Sequence, residues 1–329
     1  MIIDIGEWRF DYGAEVEIEQ DIDTLTDTCK IVIPRKHEWD RKKIAIGDDP
    51  ILKRGDAVKV QLGYLPNYKT RFIGFVKDIK PGVPVTIECE DSMYLLKKGS
   101  LTLSYKTVSL QQLVADIVPP GIEFKVVSDK PVNIGQWRIT KASPAKVLEE
   151  LKSKYRIYSY FRNITEGQET RPVLHVGLAY WLDHRQEHVF EFGENIVDDR
   201  DLIYKRKEDI LLKAKATSWL KNNTKIEVEV GDPDGEERTI HAYNLSKEEL
   251  EVYAKAELER YKYTGWRGSF PTFGEPAAEK GDVAYLIGNK YHPDGKYLIK
   301  SLRITMNTSG YKQIIYPDSI INDKQNSTN

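Results

Sequence analysis

The chain has 329 residues, 40% of them hydrophobic and 30% charged, and its 49 basic and 51 acidic residues leave a formal charge of −2. That mixture describes a folded chain, and the near-neutral total excludes a general electrostatic attraction to nucleic acid. At this length two or three domains of about 100 to 150 residues are expected. No run of about 18 apolar residues occurs, so no membrane insertion is expected. Residues 1–8 lack the basic and apolar segments of a secretory signal, which points to synthesis in the cytoplasm.

From residue 1 to about 96 the sequence alternates in short runs. Val16 and Ile18, then Cys29, Ile31 and Ile33, then Val58, Val60 and Leu62 are each flanked by polar neighbours, the pattern of half-buried antiparallel strands in a small barrel or sandwich. Cys29 and Cys89 are the only cysteines; both are expected as buried small hydrophobes rather than as a disulfide. Pro34 to Pro50 reads as a long loop or short helix. From about 97 to 190 the texture changes. Ser109-Leu110-Gln111-Gln112 opens a helix whose apolar face is Leu110, Leu113, Val114 and Ile117. Ser143 caps a second helix with Pro144 at its first position, burying Val147, Leu148 and Leu151. The run Tyr155 to Phe161 and the return Val173 to Val176, around a turn at Glu166-Gly167-Gln168, predict a hairpin. From about 191 to 317 strands return. Ile226 to Val230 and Arg238 to Tyr243 flank Gly231-Asp232-Pro233-Asp234-Gly235 and predict a second hairpin. Ser246, with Glu249 three residues on, opens a helix over about 246–263 with Leu250, Tyr253, Ala254, Leu258 and Tyr261 on one face.

One pattern occurs twice. Lys53-Arg54-Gly55-Asp56 launches the strand Ala57 to Val60, followed after a turn by Phe72-Ile73-Gly74-Phe75-Val76. Glu279-Lys280-Gly281-Asp282 launches Val283 to Leu286, followed by Gly295-Lys296-Tyr297-Leu298-Ile299. Gly supplies a positive φ at the turn and Asp can bond the turn backbone. Gly55, Asp56, Gly74, Gly281, Asp282 and Gly295 are therefore the residues of a structural repeat, and self-similarity of this kind constrains architecture and assembly together. The fold class expected is mainly β, α+β overall: two similar small antiparallel β-barrels separated by a helix-and-hairpin domain. The boundaries are 1–96, 97–190 and 191–317, with a flexible tail at 318–329.

Chemistry-bearing motifs are few. His184 and His188 have the spacing of a zinc pair on a helix, but Val189-Phe190-Glu191-Phe192 alternates like a strand, where such residues lie about 13 Å apart. The acidic cluster Asp232 to Glu237 lacks the order of a calcium loop and reads as a turn. Tyr64, Tyr68, Lys69, Arg71 and Phe72 fit a nucleic-acid surface loosely and a hairpin with core aromatics better. No phosphate loop, nucleophile elbow or persuasive catalytic pair appears, so no enzyme, metal or cofactor is expected.

On the two Gly-Asp strand openers, the Phe72 to Val76 strand, the Thr140 to Tyr155 segment with Ala145, Val147, Leu148 and Leu151, and the closing Gly295 to Leu298 strand, the chain resembles the baseplate hub proteins of contractile phage tails, the late control D family. The resemblance runs from about residue 5 to 317. It implies a homotrimer whose six barrels form a pseudo-six-fold ring between a hexameric tail tube protein and a trimeric spike protein. DNA or cargo passes its channel without being read. It also implies assembly, from the bacterial cytoplasm, into a virion tail baseplate or a related injection particle. The alternative is a carbohydrate-binding or carbohydrate-cleaving tail or surface protein, with glycoside hydrolysis as the residual enzymatic possibility, drawing on six Trp and nineteen Tyr as sugar platforms.

Overall fold

The structure, a computed structural model, describes residues 1–39, 42–45, 52–128, 131–167, 169–177, 185–220, 224–243 and 245–321. The first part of the chain supplies β1 (Ile2–Ile5), β2 (Trp8–Phe10), β3 (Glu15–Asp21), β4 (Thr28–Ile33), the side hairpin β5 (Lys36–Trp39) and β6 (Lys42–Ala45), β7 (Ala57–Tyr64), β8 (Asn67–Lys80) and β9 (Val85–Asp91). The middle supplies α1 (Met93–Leu96), β10 (Leu101–Ser109), α2 (Leu110–Ile117), β11 (Phe124–Val127), β12 (Asn133–Ala142), α3 (Pro144–Tyr155), β13 (Tyr158–Glu166) and β14 (Glu169–Gly177). The last part supplies β15 (Glu187–Glu191), β16 (Leu202–Lys205), β17 (Leu212–Trp219), β18 (Lys225–Gly231), β19 (Glu236–Tyr243), α4 (Lys247–Tyr261), β20 (Gly265–Gly268), β21 (Phe270–Phe273), β22 (Val283–Ile287), β23 (Gly295–Asn307) and β24 (Gly310–Ile320).

The protein is mostly β, as its alternation predicts. Its largest element is a twelve-stranded sheet in the order β15-β22-β23-β3-β4-β9-β8-β7-β1-β2, with β24 on the other edge of β23 and β21 beyond it. The two strand sets expected as separate barrels thus meet in one sheet. Among the described residues no strand pair closes either set into a ring. The junction is the antiparallel pairing of β3 with β23, from Asp21↔Ser301 to Glu15↔Asn307. Joining the sets there hides two strand edges and lets one core serve both: Ile3, Ile18, Ile31 and Val60 pack in the same cluster as Phe190, Phe270, Ile299 and Ile315. Cys29 and Cys89 sit opposite each other on β4 and β9 as buried free thiols.

The middle segment folds around its own core. The Ser109 and Ser143 side chains accept from the Gln112 and Lys146 backbone N–H groups, so both helices start where the sequence places them. Leu110, Leu113, Val114, Ile117, Val147, Leu148 and Leu151 are buried together. β13 and β14 form the expected hairpin, and β11 adds to β14 in parallel. A third cluster lies under α4, where Leu250, Ala254 and Leu258 face Ala214, Ala216 and Val228. The Ser246–Glu249 capping box is complete in both directions. Two expectations change here. Tyr253 and Tyr261 lie outside the α4 core cluster and are 38% and 40% exposed, with the Arg238 guanidinium over the Tyr261 ring. The second hairpin does not pair with itself: β17 lies between β18 and β19, antiparallel to one and parallel to the other. The Gly231–Gly235 turn closes over the start of β17 instead, with the Asp232 N–H donating to the Leu212 carbonyl and the Asp232 carboxylate accepting from the Leu212 N–H.

Candidate functional site

The two Gly-Asp turns carry the same hydrogen bonds. In the first, the Gly55 N–H donates to the Val76 carbonyl at 2.8 Å, Val76 N–H donates back to the Asp56 carbonyl at 2.9 Å, and Asp56 N–H donates to Lys53 at 3.1 Å. In the second, Gly281 donates to Ile299 at 2.7 Å, Ile299 to the Asp282 carbonyl at 2.8 Å, and Asp282 to Glu279 at 3.1 Å. The aspartate carboxylates close both turns, accepting from Lys53 N–H at 2.7 Å and Glu279 N–H at 3.1 Å. Gly55 and Gly281 have φ of +93° and +86°, a region where a Cβ is strained. The register that follows is also the same. Ala57↔Phe75, Val58↔Gly74, Lys59↔Ile73 and Val60↔Phe72 correspond to Val283↔Leu298, Ala284↔Tyr297, Tyr285↔Lys296 and Leu286↔Gly295. Gly74 therefore corresponds to Tyr297, and Gly295 to Phe72, so these two glycines are not equivalents. Gly74 is required by close approach, since a Cβ there would lie 2.1 Å from the Glu90 carbonyl oxygen.

What surrounds the turns differs. The first lies at the surface, where Arg54 pairs with Asp78 in solvent. The second is covered by the middle segment and becomes the centre of a buried ionic cluster. Asp282 receives the Arg162 guanidinium of β13 at 2.7 Å on Oδ1 and His188 of β15 at 2.9 Å on Oδ2, and its Oδ1 also accepts from the Gln186 N–H. Burial pushes the Asp282 carboxyl up, but the His188 hydrogen bond and the Arg162 charge hold it below the usual range. Lys280, the counterpart of Arg54, reaches Asp27 Oδ1 at 2.5 Å with its Nζ 5.1 Å from the Tyr160 ring centroid. Asp27 in turn donates its backbone N–H to Asp91 Oδ2 at 3.1 Å, and Asp91 caps Met93. Burial raises the Asp27 carboxyl against the pull of Lys280. Burial and the neighbouring Asp27 charge push Asp91 up to about 7. Glu279 also rises to about 7, through desolvation by its surroundings although part of its surface reaches solvent. Arg71 is fully buried and spans Tyr311 Oη and the Ala278 carbonyl.

This cluster is chemically a joint. Asp282 is matched by Arg162 and Asp27 by Lys280, while burial raises the Asp91 and Glu279 carboxyls to about 7. The joint ties the middle segment to the sheet through Arg162 and Tyr160. The Asp282 partners were invisible in the sequence because 120 and 94 residues separate them from it. The local signal is the recurrence of Gly-Asp itself. Of the two histidines at zinc-pair spacing, His188 is committed to Asp282 and His184 lies outside the described residues. Among the described residues no three His, Cys, Asp or Glu side chains are grouped to hold a metal ion. Asp232 serves its turn and pairs with Lys262. Arg71, one of the loosely nucleic-acid-like residues, is in the core. No described helix is long and apolar enough to cross a membrane.

No family model and no curated protein sequence matches the chain. Solved structures do. A tail protein from Neisseria meningitidis aligns over 96% of this chain and 95% of its own, with a TM-score of 0.64 at 12% identity. The chain has the fold of that tail protein. The 43 kDa tail protein of prophage MuSo2 from Shewanella oneidensis gives a TM-score of 0.63 at 17% identity, over 97% of this chain and 95% of its own. A type VI secretion system component of Escherichia coli, described as similar to the bacteriophage T4 tail proteins gp27 and gp5, gives 0.64 at 11% identity over 98% and 77%.

Proposed function

We propose that this chain is a structural hub of a phage-tail-like particle: a homotrimer that presents two similar β units per protomer, and so a pseudo-six-fold ring, between a six-fold tail tube and a three-fold spike. The carrying observation is the repetition of one turn and one strand register at Gly55-Asp56 and Gly281-Asp282 within a single sheet. A chain holding two copies of a unit in ring-like succession makes six positions from three molecules, which resolves a six-fold to three-fold mismatch. The nearly full-length likeness to tail proteins and to a secretion-system component supports the same setting. In the trimer the two units act as the barrels of the ring, with boundaries near residues 96 and 190, and the channel passes DNA or cargo without sequence readout. The role is architectural: the best-formed polar cluster ties two parts of the chain together through buried ion pairs.

Negative-stain electron microscopy with mass by light scattering on the same sample tests this. A three-copy particle with a central hole and six similar lobes is expected. A monomer that remains one copy when mixed with a tube-tip or spike protein of the same particle sinks the reading, and retention on a glycan array would favour the carbohydrate alternative.

A further inference from the structure

The register of the sheet allows β3, β4, β7, β8 and β9 of the first unit to be matched to strands in the second. With Ile79 of β8 on Leu302 of β23, their partners Ile87 of β9 and Ile315 of β24 correspond. Their next partners, Ile31 of β4 and Phe270 of β21, then correspond too. Two residues back, Cys29 falls on Gly268 of β20, so Ile18 of β3 falls on Leu202 of β16. β3 and β16 are counterparts, as are β23 and β8.

Within the chain one pair of these edges is joined. β3 lies against β23 with Asp21↔Ser301, Gln20↔Leu302 and Glu19↔Arg303, and Arg303 Nε donates to Glu19 at 3.0 Å. The reciprocal pair, β16 and residues 77–80 of β8, does not meet. Among the described strands β16 pairs with β20 alone, and that stretch of β8 with β9 alone. The two edges look unfinished. Leu302 is 2% exposed beneath β3, whereas its counterpart Ile79 is only partly covered. Ile203, in the place of Glu19, is 56% exposed on an edge strand, the kind of surface that invites another strand.

We propose that β16 of one protomer pairs antiparallel with β8 of the next, in the register Lys205↔Asp78, Tyr204↔Ile79 and Ile203↔Lys80. This rests on the ring reading and names its subunit contact. The pairing puts the Lys205 ammonium beside the Asp78 carboxylate and lays Ile203 on the aliphatic stem of Lys80. Pro81 ends the ladder, having no N–H to offer. Each protomer gives one edge and receives the other, the heterologous contact that a closed ring requires.

Disulfide trapping tests the register. In the internal junction the Ile22 N–H donates to the Lys300 carbonyl at 3.2 Å, which makes Asp21↔Ser301 a non-hydrogen-bonded pair with close side chains. Its counterpart Asp78↔Lys205 therefore suits a disulfide. The double variant Asp78→Cys/Lys205→Cys is oxidised with copper phenanthroline and run on a denaturing gel beside Asp78→Cys/Ile203→Cys and each single variant, with mass measured on the same samples. Native Cys29 and Cys89 are buried and stay out of the reaction. The expected result is a covalent ladder ending at three copies for Asp78→Cys/Lys205→Cys, at several-fold higher yield than the offset pair. A three-copy mass with no ladder, or with equal yield from the offset pair, overturns the register and leaves the ring reading standing. A one-copy mass with no ladder, persisting when a spike protein of the same particle is added, overturns both.

Discussion

Replacing Lys280 by Met probes the ionic joint at a deeply buried cation. The Lys280 side chain is 2% exposed, and it is the counter-charge for Asp27, which itself holds Asp91 in a backbone-to-carboxylate link. Met matches the length and apolar stem of Lys, so little packing is lost and the perturbation is the charge. Removing one partner of a buried pair typically costs about 3–5 kcal/mol, because the remaining charge is left without water or cation. The first repeat supplies the internal control. Arg54 occupies the same position but is 71% exposed with Asp78 as its partner, so Arg54→Met should leave the urea midpoint within experimental scatter. The pH dependence separates electrostatics from packing. The folded-state pKa of Asp91, about 7, lies above the unfolded value near 3.9, so the stability linked to its neutral form is complete below about pH 4 and is lost as pH rises through 7. Without Lys280, Asp27 and Asp91 rise further. The deficit of Lys280→Met should then be largest at pH 8 and shrink toward pH 5, where both acids take up protons and the lysine has less charge to offset. Urea unfolding followed by tryptophan fluorescence at pH 5 and pH 8 reads both quantities. Adding Asp27→Asn to Lys280→Met should recover part of the loss at pH 8. A deficit below about 1 kcal/mol, or one that is equal at the two pH values, refutes the reasoning.

The other expectations are simpler. Gly74→Ala places a Cβ 2.1 Å from the Glu90 carbonyl oxygen, so the β8–β9 pairing must shift; a loss of roughly 3 kcal/mol or more, or insoluble expression, is expected by denaturation. Gly55→Ala and Gly281→Ala both force alanine to a positive φ and should each cost about 1–2 kcal/mol, with thermal melts of the two variants agreeing closely if the turns are the equivalents their hydrogen bonds make them. Ser246→Ala removes half of the capping box of α4 and should cost about 1 kcal/mol, seen as faster amide exchange confined to residues 246–252. Burial pushes the Cys89 thiol up to about 12 and Cys29 well above its ordinary value, so a thiol reagent should label neither in the folded protein at pH 8 and both in urea.

What could be read from the sequence follows from where each signal resides. Ser109, Ser143 and Ser246 start their helices because a cap needs only the three residues beside it, and those residues are adjacent in the chain. The alternation of Val16, Ile18, Ile31, Val58 and Val60 gives the inward faces for the same reason. Pairing is another matter. Nothing in residues 225–243 announces that β17 will sit between β18 and β19, since a hairpin and an interleaved sheet satisfy the same alternation and the same Gly-Asp-Pro-Asp-Gly turn. The joint is harder still: Lys280 and Asp27 are 253 residues apart, and each reads locally as an ordinary surface charge. The repeat bridges the two kinds of information. Gly-Asp was legible as a turn at both places, but only the fold shows that one turn faces water beside Arg54 while the other is sealed under Arg162 and His188. A unit used twice in one chain meets two different surroundings, so its shared residues keep the backbone and its unshared neighbours adapt. Arg54 and Lys280 are that difference in one position, an exposed guanidinium and a buried ammonium, and the sequence shows the substitution without showing which side of it is dry.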